Sequence, residues 1–114
     1  MTLDFVRGCC RSFPHVTEIV QWEDDLVFKI GGKMFAVLPL EPARVWLSFK
    51  CSEEDFSELV ERPGIIPAPY LARARWVALE DEDAMPNPEL KRRLRLAYEL
   101  VLAKLPKKVR AGLA

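Results

Sequence analysis

The residue types able to do covalent chemistry are few in this chain, and their spacing does not suit catalysis. Ser12 and His15 come nearest to a nucleophile with its base. No Gly-x-Ser-x-Gly elbow presents the serine, and no glycine-rich loop cradles a phosphate. The cysteines are Cys9, Cys10 and Cys51. Adjacent cysteines cannot splay around a zinc ion as a spaced pair does, and with a single histidine in the chain no metal site is expected. Cys9 and Cys10 read as buried apolar packing. An odd cysteine count is a poor disulfide framework and points to a reduced, cytoplasmic setting. Cys51, beside Lys50 and just ahead of a helix start, has the surroundings that lower a thiol pKa, which makes it a redox or alkylation candidate. The paired carboxylates Asp24-Asp25 fall in a turn and read as solvated. No catalytic residue and no cofactor are expected, so the chain reads as a binding module and not as an enzyme.

What remains is suited to binding. Lys29, Lys33, Trp46, Lys50, Arg73, Arg75 and Trp76 combine cations that neutralise phosphates with rings that stack on unpaired bases. Lys29, Trp46, Ser48, Lys50 and Trp76 are expected on the sheet face away from the helices. That makes DNA one candidate partner. The plainer alternative packs Trp46 and Trp76 under the 62–73 loop and leaves the lysines as ordinary surface. A second candidate surface is apolar: Trp22, Ile65, Ile66, Tyr70 and Leu71 would receive a protein partner, as in a chaperone-like adaptor.

Charge sets limits on both readings. Seventeen basic residues balance seventeen acidic ones, so the overall positive field behind tight non-specific nucleic-acid binding is lacking. The distribution is uneven: Lys91, Arg92, Arg93, Arg95, Lys104, Lys107, Lys108 and Arg110 face only Glu89 and Glu99 after residue 86. Arg92, Arg93 and Arg95 read as a solvated helix face. No stretch is apolar over the length that spans a bilayer, and no membrane partner is expected. The opening residues, with Asp4 and Arg7, predict no secretory leader.

The elements that must position these residues are legible from pattern. At 114 residues, half of them hydrophobic, the chain is long enough for one domain with one core. A first helix is expected over 2–12, capped by Thr2, with Leu3, Val6, Cys10 and Phe13 buried. Residues 18–22 form a short strand. Leu26, Phe28 and Ile30 share one face of the next strand. Gly31-Gly32 makes a tight hairpin turn, after which Met34, Ala36 and Leu38 alternate with Phe35 and Val37. In 44–50, Val45, Leu47 and Phe49 face one way and Trp46, Ser48 and Lys50 the other. Ser52 caps a helix that ends at Pro63-Gly64. The prolines of 62–73 predict an ordered apolar loop without regular structure. A last strand covers 75–79. A long helix runs from Pro88 to Leu105, capped by Asn87, with Leu90, Leu94, Ala97, Val101 and Leu105 inward. Residues 107–114 are expected to fray. The order implies a two-layer α+β fold, an antiparallel sheet with helices on one face.

With these pieces in place the chain resembles the MmcQ/YjbR family of small bacterial proteins. The resemblance is carried by Trp22 with Asp24-Asp25 and Phe28, by Gly31-Gly32-Lys33-Met34-Phe35-Ala36, by Ser48-Phe49-Lys50-Cys51, and by Pro63-Gly64-Ile65 through Pro67-Ala68-Pro69-Tyr70-Leu71-Ala72-Arg73 to Trp76-Val77. It runs almost from end to end, so 1–114 reads as one domain. The resemblance implies a compact α+β domain of double-wing shape, related in architecture to secretion-chaperone-like folds, and DNA binding as its function, which makes DNA binding the leading reading and the adaptor the alternative. It brings no catalytic residues with it.

Overall fold

A computed structural model describes residues 3–113. The expected cap at Thr2 lies outside them. The elements are α1 (Leu3–Arg11), β1 (Thr17–Gln21), β2 (Asp25–Ile30), β3 (Lys33–Pro39), β4 (Leu47–Lys50), α2 (Glu53–Leu59), β5 (Ile65–Pro67), a 3₁₀ turn at Ala72–Ala74, β6 (Trp76–Leu79), α3 (Asn87–Lys104) and α4 (Lys107–Leu113). All strand pairs are antiparallel, in the order β1-β2-β3-β4-β6-β5. The α+β class and the antiparallel sheet match expectation.

Three expectations about the elements are corrected. Residues 107–113, expected to fray, form α4. Within the proline-rich segment, Ile65–Pro67 adds an edge strand to β6. A strand at a sheet edge tolerates proline because one side of it needs no donor. Asn87 does not cap α3: the cap position falls on Pro86, with no side-chain hydrogen bond. Ser52 does cap α2, where its Oγ accepts from the Asp55 N–H at 3.1 Å. Leu3, expected inside, is exposed, and Cys9 takes its place in the buried stripe of α1.

The sheet has two unequal faces. The principal core joins α1 and α3 to Leu26, Phe28, Ile30, Leu38, Leu47, Phe49, Val77 and Leu79. A smaller cluster on the opposite face holds Val27, Val37, Ala68, Trp76 and Ala78, with Met34, Val45, Ile66 and Leu71 against it. Simple alternation along β3 fails at one place. The register shifts between Phe28 and Lys29, so that Phe28 pairs with Ala36 and Lys29 with Met34, leaving Phe35 as the extra residue of a β-bulge. Phe35 and Ala36 are then both fully buried in the principal core, and Met34 falls on the opposite face.

The hairpin turn is set by packing as well as by chain direction. Gly31 and Gly32 have φ of 59° and 81°, the positive values that a two-residue turn of this hand needs. A Cβ on Gly31 would lie 2.5 Å from a Leu105 methyl, whereas one on Gly32 meets nothing within 4 Å. Gly31→Ala therefore carries both backbone strain and a clash under the end of α3, and Gly32→Ala carries the strain alone. We expect Gly31→Ala to lower unfolding stability by about 1–3 kcal/mol and Gly32→Ala by about 1 kcal/mol, read from urea midpoints.

An ion network joins α2 to α3. Both Arg62 Nη atoms donate to Glu89, at 2.6 and 3.0 Å. Arg93 pairs with Asp55 at 3.1 Å and lies 3.8 Å from Glu89. The hydrogen bond from Arg62, more than its charge alone, holds the Glu89 carboxyl below the usual carboxylate range. A depressed carboxylate pKa stabilises the fold above the ordinary value, and that contribution is lost as pH falls through the folded one. Glu89→Gln should cost on the order of 1–2 kcal/mol at neutral pH, allowing for the partial exposure of Arg62. The gap to wild type should close as denaturation is repeated at successively lower pH through the acid range.

Candidate binding surface

The expected cationic set does not line a single groove. Lys29, two residues on from Val27 and paired with Met34, shares their helix-free side. Lys33 leaves the hairpin, and Lys50 ends β4, where its ammonium donates to the Ala74 carbonyl at 2.6 Å. Burial lowers the Lys50 pKa, helped by the like charges of Lys104 and Arg75. Lys33, Lys50 and Lys104 line one groove, of which Lys29 is not a wall. Arg73 is exposed on the 3₁₀ turn. Arg75, in left-handed backbone, reaches towards α2 instead: it bonds Glu53 at 3.2 Å, and its guanidinium carbon stands 5.6 Å from the Phe56 ring centroid.

The two tryptophans of that set differ: Trp76 offers no stacking surface, and Trp46 is half-buried. Trp76 is 3% exposed, packed in the smaller cluster with Ala68 and beside Leu71. Trp46 was expected on the helix-free face and instead packs against the principal core. The physical reason is that 45–46 precede the ladder of β4, which begins at Leu47, so strand alternation does not extend to them. Val45 and Trp46 exchange the faces that continuous alternation would assign.

The apolar set divides differently. Ile65 is 2% exposed within the principal core and is no surface residue, while Ile66 packs on the opposite cluster. Trp22 is 62% exposed and Tyr70 is fully exposed. Both line a groove of about 390 Å³ on the helix-free face, over Met34, Val37, Val45 and Leu71, with Asp25 and Ser48 as its polar members.

Local structure explains why these rings stay outside. Trp22 and Glu23 have φ of 49° and 75°, and Tyr70 has 65°. Left-handed backbone is costly for non-glycine residues, and it persists only where the surroundings over-determine it. At Trp22 they do: the Asp24 N–H donates to the Trp22 carbonyl at 3.0 Å, and the Leu40 N–H to the Asp24 carbonyl at 2.7 Å. At Tyr70 the flanking Ala68 N–H donates to Trp76 at 3.0 Å and the Leu71 N–H to Ala68 at 3.1 Å. Backbone held in this way loses little freedom when a ligand covers the rings it carries. The Asp25 carboxyl, read from sequence as solvated, is half-buried in the same groove. Burial, followed by repulsion from Asp24, raises its pKa. Asp25, Met34 and Lys104 are candidates that sequence reasoning missed. Met34 depends on the bulge, and Lys104 was counted only within the basic end of the chain.

The candidate reactive groups are quiet. Cys51 is buried, its thiol donates to the Arg75 carbonyl at 3.4 Å, and burial pushes its pKa up to about 11. This corrects the expectation of a lowered thiol pKa at Cys51. The Ser12 hydroxyl donates to the Cys9 carbonyl at 2.6 Å. Among the described residues no three His, Cys, Asp or Glu side chains gather as metal ligands.

Comparison with known proteins agrees with this architecture. The crystal structure of Deinococcus radiodurans protein DR2400, with a DUF419 family domain, superposes with a TM-score of 0.87 at 32% identity, over 98% of this chain and 87% of that one. A Pseudomonas syringae protein, structural genomics target PsR293, shares the fold with a TM-score of 0.69 at 19% identity, over 88% of this chain and 98% of its own. No curated protein matches. The YjbR family model matches residues 11–100, from the end of α1 into the body of α3, and the protein therefore belongs to the YjbR family.

Proposed function

We propose that this domain is a non-catalytic adaptor of the cytoplasm that binds a partner polypeptide across the helix-free face of its sheet. The groove between Trp22 and Tyr70 takes an apolar side chain of the partner. The observation that carries this reading is the pair of exposed rings, each held on left-handed backbone beside an open apolar groove. Exposed rings on rigid backbone are the usual energetic centre of a protein interface.

Two features define the partner segment. Glu23, Asp24 and Asp25 stand at the Trp22 end, which favours a basic residue next to the apolar one. Among the described residues β1 is an edge strand that pairs with β2 alone, with Ile19 and Val20 exposed. An extended segment added to that edge would run past Trp22. The free, buried thiols of Cys9, Cys10 and Cys51 support a reducing compartment, and no helix among the described residues is long and apolar enough to cross a membrane.

DNA binding, which the family resemblance implied, draws less support from the geometry. Trp76 is packed away, Trp46 is half-buried against the principal core, and Arg75 is engaged with Glu53 and Phe56. Lys29, Lys33, Lys50 and Arg73 remain.

Peptides selected from a random display library on the intact domain should pair a basic with an apolar residue. They should lose affinity about tenfold or more on Trp22→Ala or Tyr70→Ala, with the melting temperature unchanged because both rings are exposed. Equal affinity for the variants would overturn the groove as the site. For DNA, fluorescence anisotropy across a salt series decides. We expect no micromolar binding of duplex or single strands at physiological salt. Binding that weakens steeply with salt, and fades in Lys29→Ala and Arg73→Ala, would restore that reading.

A further inference from the structure

We propose that the groove between the β2–β3 hairpin and the C-terminal end of α3 is a second binding site, which takes a small aliphatic carboxylate. Met34, Leu71, Trp76, Val101 and Leu105 form its apolar floor. Lys33, Lys50 and Lys104 form its cationic rim, around a cavity of about 330 Å³. That volume falls within the range of small-molecule clefts, about 300–1,000 Å³. Met34 and Leu71 also border the first groove, but Trp22 and Tyr70 do not line this one. The proposal therefore stands independently of the polypeptide reading.

Charge selects the ligand. Among the described residues no Asp or Glu lines the groove, and none of the three lysines forms an ion pair with a carboxylate. Lys50 is fixed by a single hydrogen bond, to the Ala74 carbonyl, which leaves N–H donors to spare on its ammonium. Its charge is disfavoured by burial and then by Lys104 and Arg75, and an incoming anion relieves that arrangement. Lys104 also offsets the negative end of α3, which would otherwise oppose an anion there.

The floor selects the rest of the molecule. A bare anion would satisfy the lysines and leave the apolar side chains in water, whereas an attached hydrocarbon chain covers them. The carboxylate has two acceptor oxygens for the three ammonium groups, and the chain lies along Val101, Leu105 and Met34.

The test is isothermal titration of the intact domain with decanoate below its micelle threshold, set against decanol, acetate and inorganic phosphate. We expect saturable binding of decanoate about tenfold or more tighter than of any control, and a loss of about tenfold in Lys50→Met, the size of one charge-assisted hydrogen bond. Because Lys50→Met also removes the bond to Ala74, the double variant Lys33→Met/Lys104→Met serves as the second arm, leaves that bond intact and should lose as much. In methyl and indole NMR spectra, decanoate should move Val101, Leu105 and Trp76 and leave Trp22 in place. Equal binding of decanol would reduce the groove to an apolar slot. Equal binding of acetate or phosphate would make it an anion site without a chain. Unchanged binding in both lysine variants, or a shift confined to Trp22, would place the ligand elsewhere. Any of these results overturns the proposal, as does no binding of decanoate.

Discussion

One extra residue in β3 lets two consecutive side chains, Phe35 and Ala36, both face the helices. With Phe35 bulged against the Phe28–Lys29 step, three core side chains of β3, Phe35, Ala36 and Leu38, turn towards the helices, and Met34 is left on the other side. Phe35 then enters an aromatic cluster. Its ring centroid lies 6.4 Å from that of Phe28, 6.3 Å from Phe13 and 5.7 Å from Tyr98, edge-on to the last. Tyr98 closes the cluster by donating its hydroxyl to the Pro14 carbonyl at 2.8 Å, which satisfies a buried polar group and ties α3 to the chain leaving α1. Without the bulge, Phe35 would sit on the face that carries both grooves.

The two faces of the sheet differ because only one is closed by helices. On the other, a short segment with a 3₁₀ turn covers Trp76 and Ala78 and stops. Its uncovered margin is where Trp22 and Tyr70 stand out and where Met34 and Leu71 separate two adjacent grooves. One groove has an acidic, aromatic end and the other a lysine rim. Trp22, Glu23, Tyr70 and Arg75 all adopt positive φ in or beside this region, and His15 does so in the connector after α1. A sheet with complete ladders on either side can hold such residues, and it holds Trp22 and Tyr70 where binding is proposed.

Net charge conceals this sorting. The chain is neutral as a whole, yet Arg62, Glu89, Arg93 and Asp55 are used up in joining α2 to α3, and Arg7 is used up on Glu18. Among the described residues the lysines at the hairpin and at the end of α3 have no such partners. Binding potential here follows from which charges the fold leaves unpaired, and composition cannot report that.

Much of the frame was legible in the residues. The Gly31-Gly32 turn, the cap at Ser52, the inward stripe of α3 and the order of the main elements follow from local rules, because backbone conformation and helical periodicity are set by neighbours in the chain. The motifs around Gly31 to Ala36 and Pro63 to Val77 were enough to indicate the family. The candidate site was legible only in part. Trp22 and Tyr70 were named for their type, but Ile65, Trp46 and Trp76 were named with them and are buried or packed against the core. What only the tertiary structure decided is which face each side chain takes and which charges find partners. A single bulge reverses facing beyond the reach of a period-two pattern, and the partners of Arg62, Arg75 and Lys50 lie more than twenty residues away in the chain. Facing and pairing are long-range properties, and no local spacing of residues encodes them.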